Sequence, residues 1–155
     1  MLFKDLDSYC EKHTHNPDDV LVELERQTYL QTIAPQMVSG KMQGRLLSLI
    51  SKLKEPQYIL EIGTFTAYSA LCLAEGLNSS GELHTIEITE DYKHLIQSIA
   101  SKSKHYPKIH FHYGDALNVI PTLNYSWDLV FLDAAKSKYL DFIKILEVIL
   151  KPGAV

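Results

Sequence analysis

Short apolar runs recur along the chain at 57–62, 82–88, 108–113 and 127–133, and between them lie segments whose apolar residues return every three or four positions. The runs predict strands, the spaced segments predict helices over 67–77, 90–103, 115–123 and 137–150, and Asn78-Ser79-Ser80-Gly81 predicts a turn. Strand and helix in alternation imply a parallel sheet with right-handed crossovers and helices on both faces, an α/β fold of Rossmann-like architecture. Ahead of it, Asn16-Pro17-Asp18-Asp19 signals a helix start, with a capping side chain, proline at the first helical position and acids at the positive end of the dipole. That helix is expected to reach about Thr32. A second, Met42 to Leu53, is expected to turn Leu46, Leu49, Ile50 and Leu53 to one face before Glu55-Pro56 breaks it. Lys151-Pro152-Gly153 stops the last helix, and Ala154-Val155 opens a fifth apolar run.

The first strand carries the strongest chemical signal. Ile59-Leu60-Glu61-Ile62-Gly63-Thr64-Phe65-Thr66-Ala67-Tyr68-Ser69 delivers an acid and a glycine into a tight turn that opens directly into a helix. Gly63 lets the backbone approach a ligand, and the helix start points free N–H groups at the same spot, which is how a nucleotide cofactor is cradled. The second strand ends in Glu87, 24 positions after Gly63, where a carboxylate can accept both hydroxyls of a ribose.

Composition narrows the partners. The 155 residues are 46% hydrophobic, enough for one packed domain, and a net charge of −4 without a basic run leaves no footprint for a nucleic-acid backbone. A small-molecule substrate is expected instead. Cys10 and Cys72 make neither a disulfide framework nor a zinc site, so two reduced thiols in the cytoplasm are expected. Acids near the start leave no signal-peptide core, and no stretch has the roughly 18 apolar residues of a membrane span. His84, His110 and His112 alternate on strands, His13 and His15 lie near the start, and His94 and His105 fall on or after a helix; their spacing suggests no ligand cluster.

Leu60-Glu61-Ile62-Gly63-Thr64-Phe65-Thr66-Ala67-Tyr68-Ser69 resembles the first motif of class I S-adenosylmethionine-dependent O-methyltransferases of the catechol and caffeoyl-CoA type. Thr85-Ile86-Glu87 is similar to the ribose-binding strand end of that family, Gly114-Asp115-Ala116-Leu117 to its adenine-side loop, and Asp128-Leu129-Val130-Phe131-Leu132-Asp133-Ala134-Ala135-Lys136 to its metal and base strand. Met37-Val38-Ser39-Gly40 and Gly44 resemble the entry segment over the cofactor. The resemblance runs from about Pro35 to Val155 and implies one incomplete methyltransferase domain, with residues 1–40 an N-terminal helical segment and 57–155 the cofactor-binding core. The family's sheet continues past the fifth strand, which ends in a metal-binding Asp-Asn pair. The expectation is therefore a truncated chain, or a sheet edge supplied by another chain.

The resemblance also assigns roles. Met37, Ser39, Glu61, Gly63, Phe65, Tyr68, Ser69, Glu87, Asp115, Ala116 and Asp133 would contact S-adenosylmethionine; Asp133 would ligate a divalent cation, magnesium with calcium or manganese as substitutes; Lys136 would be the general base. A lysine can serve so where partial burial and a nearby metal lower its proton affinity. Core packing explains Phe65 and Tyr68 as well as cofactor contact does, and Asp115 could simply cap a helix. Ala67 stands where the family usually has glycine, and Ala135 where bacterial relatives often have an acid. The implied reaction is metal-assisted methyl transfer to a small acceptor with vicinal, catechol-like hydroxyls, by a homodimer. Two alternatives remain: a domain that binds the cofactor without catalysis, and a nicotinamide-dependent dehydrogenase, against which Gly63 and Ala67 fail to make G-x-G-x-x-G.

Overall fold

Strands β1 (Tyr58–Ile62), β2 (Glu82–Glu87), β3 (Ile109–Tyr113) and β4 (Leu129–Leu132) form one parallel sheet in the order β3-β2-β1-β4, in a computed structural model that describes residues Leu2–Val155. Helices α1 (Leu2–His13), α2 (Asp19–Gln31) and α3 (Gly40–Lys54) precede the sheet. After successive strands come α4 (Tyr68–Ala74), α5 (Lys93–Ser98), α6 (Ala116–Val119) and α7 (Tyr139–Leu146). The period of two along each strand divides the core. Ile59, Leu83, Ile109 and Leu129 pack with α2 to α5 on one face, whereas Leu60, Ile62, Ile86, Phe142 and Leu146 fill the other with α6 and α7. Each fully buried aliphatic side chain contributes about 1.5–3 kcal/mol. Among the described residues no helix is long and apolar enough to cross a membrane.

The predicted strands appear within a few residues of their expected ends, but several helices are shorter. The segment 115–123 divides into α6 and a 3-10 turn, Ile120–Thr122, because Pro121 has no N–H to continue the ladder. Segment 90–103 becomes α5 and a 3-10 turn at Ala100–Lys102, and 137–150 starts with a 3-10 turn at Lys136–Lys138 before α7. The second helix begins later than Asn16-Pro17 suggests: Asp18 is the cap, its Oδ1 accepting from the Leu21 N–H at 2.9 Å. Helix α1 lies within the segment 1–40 expected to be helical, although no start or stop was predicted for it. The fifth apolar run does begin to pair, since the Val155 N–H donates to the Asp128 carbonyl at 3.1 Å and the Val155 carbonyl accepts from the Val130 N–H at 2.8 Å.

Helix α3 turns most of its expected face outward, only Ile50 packing against the core. Leu46, Leu49 and Leu53 are more than half exposed, and the buried stripe is Gly44, Leu47, Ser48 and Ser51. Close approach to α4 explains the difference. A Cβ on Gly44 would sit 2.7 Å from the Tyr68 ring, and one on Gly76 would sit 2.2 Å from the Ser51 backbone, so small residues win this interface over large ones. Ser51 Oγ donates to the Leu73 carbonyl at 2.6 Å.

At the end of α4, Glu75 binds the same helix through Arg45 (2.6 Å), Lys52 (2.6 Å) and Ser48 Oγ (2.8 Å). Burial opposes ionisation, but these hydrogen bonds overcome it and hold the carboxyl down at about 2. A depressed carboxyl stabilises the fold above its unfolded value of 4.5 and loses that contribution as pH falls toward 2. Glu75→Gln should therefore cost about 2–3 kcal/mol at pH 7. Denaturant titrations should show the gap to wild type closing between pH 4.5 and 2.

Candidate functional site

Strand order reverses at β1, whose sheet neighbours β2 and β4 lie on opposite sides of it, so a crevice opens at the carboxyl ends. Backbone pairing runs to the strand tips: the Gly63 N–H donates to the Ile86 carbonyl and the Asp133 N–H to the Ile62 carbonyl, both at 2.9 Å. Gly63 adopts φ +106°, and a Cβ there would lie 2.2 Å from the Asp133 carbonyl oxygen. Only glycine lets β1 turn away this close to the end of β4. Phe65 (φ 49°) and Ala67 (φ 73°) are also left-handed, a conformation costing an L-residue on the order of 1–2 kcal/mol. At Ala67, 0% exposed, the glycine usual in the resembling motif would relieve that strain.

The crevice is a cleft of about 580 Å³. Met37, Ser39, Gly63, Phe65, Tyr68, Ser69, Glu87, Asp115, Ala116, Asp133 and Lys136 all line it. Glu61 does not line the cleft; it is wholly buried beneath the turn. Gly44 packs on Tyr68 and Cys72 instead of the cleft. Thr85 Oγ1 donates to Glu61 Oε2 at 2.5 Å and lies 2.6 Å from Thr64 Oγ1, while Glu61 Oε1 has no partner. Burial pushes the Glu61 carboxyl up to about 7, against the pull of the Ser69 and Thr85 hydroxyls and with help from the Asp133 and Glu87 charges.

Glu87 holds the opposite lip. Its Oε2 accepts from the Phe65 N–H at 2.8 Å and its Oε1 from the Ile88 N–H at 2.9 Å and, more distantly, the Thr89 N–H at 3.5 Å, which leaves Oε2 with a free lone pair and Oε1 only weakly engaged by its second donor. Asp115 caps α6 through the Leu117 N–H at 3.0 Å and also pairs with Lys138 at 2.8 Å. The two readings of Asp115 are compatible, since a capping oxygen and a cleft-lining oxygen share one carboxylate. Tyr68 likewise does both: its ring is buried in the core yet borders the cleft. Asp133 and Lys136 are exposed at the rim, so the partial burial expected for Lys136 is not found. Tyr92 and Lys138 escaped the sequence reading; Tyr92 meets Phe65 edge-on at 4.9 Å.

Residues 11–155 match the family model described as O-methyltransferase. The chain belongs to the O-methyltransferase family. It is 28% identical over 145 residues to O-methyltransferase ankF of Aspergillus thermomutatus, covering 91% of this chain and 60% of that protein. Caffeoyl-CoA O-methyltransferase 3 of Nicotiana tabacum is 31% identical over 125 residues, 77% of this chain and 52% of its own. The chain thus spans between half and two thirds of these relatives' length. Among solved structures, the O-methyltransferase TomG of Streptomyces achromogenes, in complex with SAM, superposes with a TM-score of 0.88 at 30% identity, over 97% of this chain and 69% of that one. The parallel sheet and flanking helices are those of this O-methyltransferase fold.

One expectation for this O-methyltransferase chain is overturned away from the cleft. His84, His110 and His112 do converge, because in-register pairing of β2 and β3 sets His84 beside His110 and brings His112 to the same face. The His84 ring stacks on His112 at 5.1 Å and on His110 at 4.7 Å. Burial, with His110 and His112 alongside, pushes His84 down to about 4. E-x-H at 82–84 and H-x-H at 110–112 each put two side chains on one strand face; only the register between the strands was illegible.

Proposed function

We propose that the cleft binds S-adenosylmethionine and that the chain transfers its methyl group to a hydroxyl of a small, catechol-like acceptor. The observation that carries this reading is the acidic floor: Glu61, Glu87 and Asp133 gather at the ends of β1, β2 and β4, and one buried carboxylate oxygen, Glu61 Oε1, is unpaired. A cationic cofactor relieves such a floor. A dinucleotide pyrophosphate would meet repulsion there, which argues against the nicotinamide alternative. The core 57–155 would hold the cofactor, with Glu87 accepting the ribose hydroxyls, Ala116 beside the adenine, and Met37 and Ser39 of the N-terminal segment covering it. Bound S-adenosylmethionine would supply an electrophilic methyl group on a sulfonium sulfur. Lys136, exposed at the rim, would take the proton of the acceptor hydroxyl once a bound acceptor covers it and lowers its proton affinity.

Divalent-metal assistance is the weaker part of the proposal. Asp133 offers one carboxylate, and among the described residues it belongs to no convergent set of three ligands, whereas a hard cation takes six or more oxygens. The donor set does not by itself fit a resident magnesium ion. A homodimer is also part of the reading. The stripe Met42, Leu46, Leu49 and Leu53 on α3 is apolar and exposed, and would be its contact. Leu49→Glu should then convert a dimer to a monomer in light scattering, and a wild-type monomer would remove the dimer from the proposal.

Calorimetry tests the cofactor reading in two ways. Glu87→Ala should weaken S-adenosylmethionine binding by about 1.5–3 kcal/mol, the range for hydrogen bonds to a charged group. Because a cation in the cleft favours ionised Glu61, binding should release a proton and tighten as pH rises through about 7. Glu61→Gln should flatten that dependence; a pH-independent wild-type affinity would count against the acidic floor.

For the chemistry, Lys136→Ala should lower the maximal rate of catechol methylation roughly 10²–10⁴-fold while cofactor affinity stays unchanged. Equal turnover in the variant would exclude the lysine as base. Cofactor binding without any turnover by the unaltered chain would favour the binding-only alternative.

A further inference from the structure

The face of the sheet that carries α6 and α7 leaves its β3 margin to side chains alone, and there Glu82, His84 and His110 bring one ligand atom each within 4.8 Å of one another. His84 Nε2 lies 3.6 Å and His110 Nε2 3.8 Å from Glu82 Oε2. Tetrahedral zinc, with bonds of about 2.0–2.1 Å, separates its donors by about 3.3 Å, so each histidine nitrogen needs to approach Glu82 by only a few tenths of an ångström, and the two imidazole donors, within 4.8 Å of each other, need to close by at most about 1.5 Å. The two outer ligands can do so. Glu82 and His110 are 39% and 46% exposed in their side chains, whereas His84 is fixed at 5%.

His84 supplies the second observation. Its Nε2 is buried, directed toward Glu82, and has no hydrogen-bond partner. Its other nitrogen, Nδ1, lies 2.9 Å from His112 Nε2. If Nδ1–H donates to His112, the lone pair on Nε2 faces a carboxylate, an arrangement that a cation between them resolves. Metal-bound histidines are oriented in this way by a partner on the second nitrogen. Tyr125 adds a hydroxyl 3.5 Å from Glu82 Oε2.

We infer that Glu82, His84 and His110 form a site for one borderline divalent transition cation of the zinc class, with His112 positioning His84 and a fourth coordination place open to water. Two imidazoles and one carboxylate suit zinc and disfavour magnesium or calcium, which take oxygen ligands. None of these residues lines the cofactor cleft, so the site is independent of the methyl-transfer reading. A bound ion would pin the edge strand β3 to β2, stabilising the folded chain in proportion to its occupancy.

The test uses the tag-free chain, stripped with a chelator and titrated with zinc chloride, followed by calorimetry and by melting with and without the ion. The expected result is one zinc per chain and a melting temperature raised by several degrees. His110→Ala and Glu82→Gln should each remove saturable binding while melting like the wild type in chelator, and His112→Ala should weaken binding about 10–100-fold. Cobalt in place of zinc should give the intense visible bands of a four-coordinate ion, lost in His110→Ala. Absence of saturable uptake, or uptake unaltered by both ligand substitutions, would overturn the site; the latter would assign the zinc to other histidines such as His94 or His105.

Discussion

The close approach of Gly63 to the carbonyl of Asp133 is the constraint on which the cleft depends. The tips of β1 and β4 meet at a separation that no Cβ tolerates, and from that point the chain must turn sharply. The turn takes Phe65 and Ala67 through left-handed backbone before α4 can start, so strain accumulates where ligand and backbone must meet. Hydrogen bonds oppose the strain: Glu87 grips the Phe65 N–H, the Ala67 N–H donates to the Thr64 carbonyl at 2.8 Å, and Thr64 touches Thr85. The same contact sets Asp133 beside the turn, which is why an acid at the end of β4 shares a cleft with residues seventy positions earlier.

Electrostatics then decides what the cleft suits. Burying Glu61 under two further carboxylates is costly, and its raised proton affinity is the measure of that cost. The Thr85 hydroxyl offsets only part of that cost. A positive ligand above the floor gives the acids a purpose, and membership of the O-methyltransferase family agrees with it.

The strands and the cleft were legible in the sequence because both rest on local patterns. Short apolar runs located every strand, and Gly63, Glu87 and Asp133 follow from chain position at strand ends in a parallel sheet, whereas Met37, Ser39, Asp115 and Ala116 came with the family resemblance. What could not be read depends on distant partners. Helix α3 turns most of its expected face outward because Gly44, Ser48 and Ser51 permit contact with α4, a choice invisible until α4 is in place. The histidine cluster depends on the β2–β3 register, and the exposure of Lys136 on how the chain leaves β4 through a 3-10 turn. Helix lengths erred wherever a proline or a 3-10 turn ended a pattern that apolar spacing alone would continue.

The central claim is that this cleft selects a cationic adenosyl cofactor, and parallel calorimetric titration of the unaltered chain with S-adenosylmethionine and with NAD⁺ addresses it most directly. Saturable one-to-one binding of S-adenosylmethionine, with no measurable heat from NAD⁺, is the predicted result. Preference for the dinucleotide, or binding of neither, would contradict it.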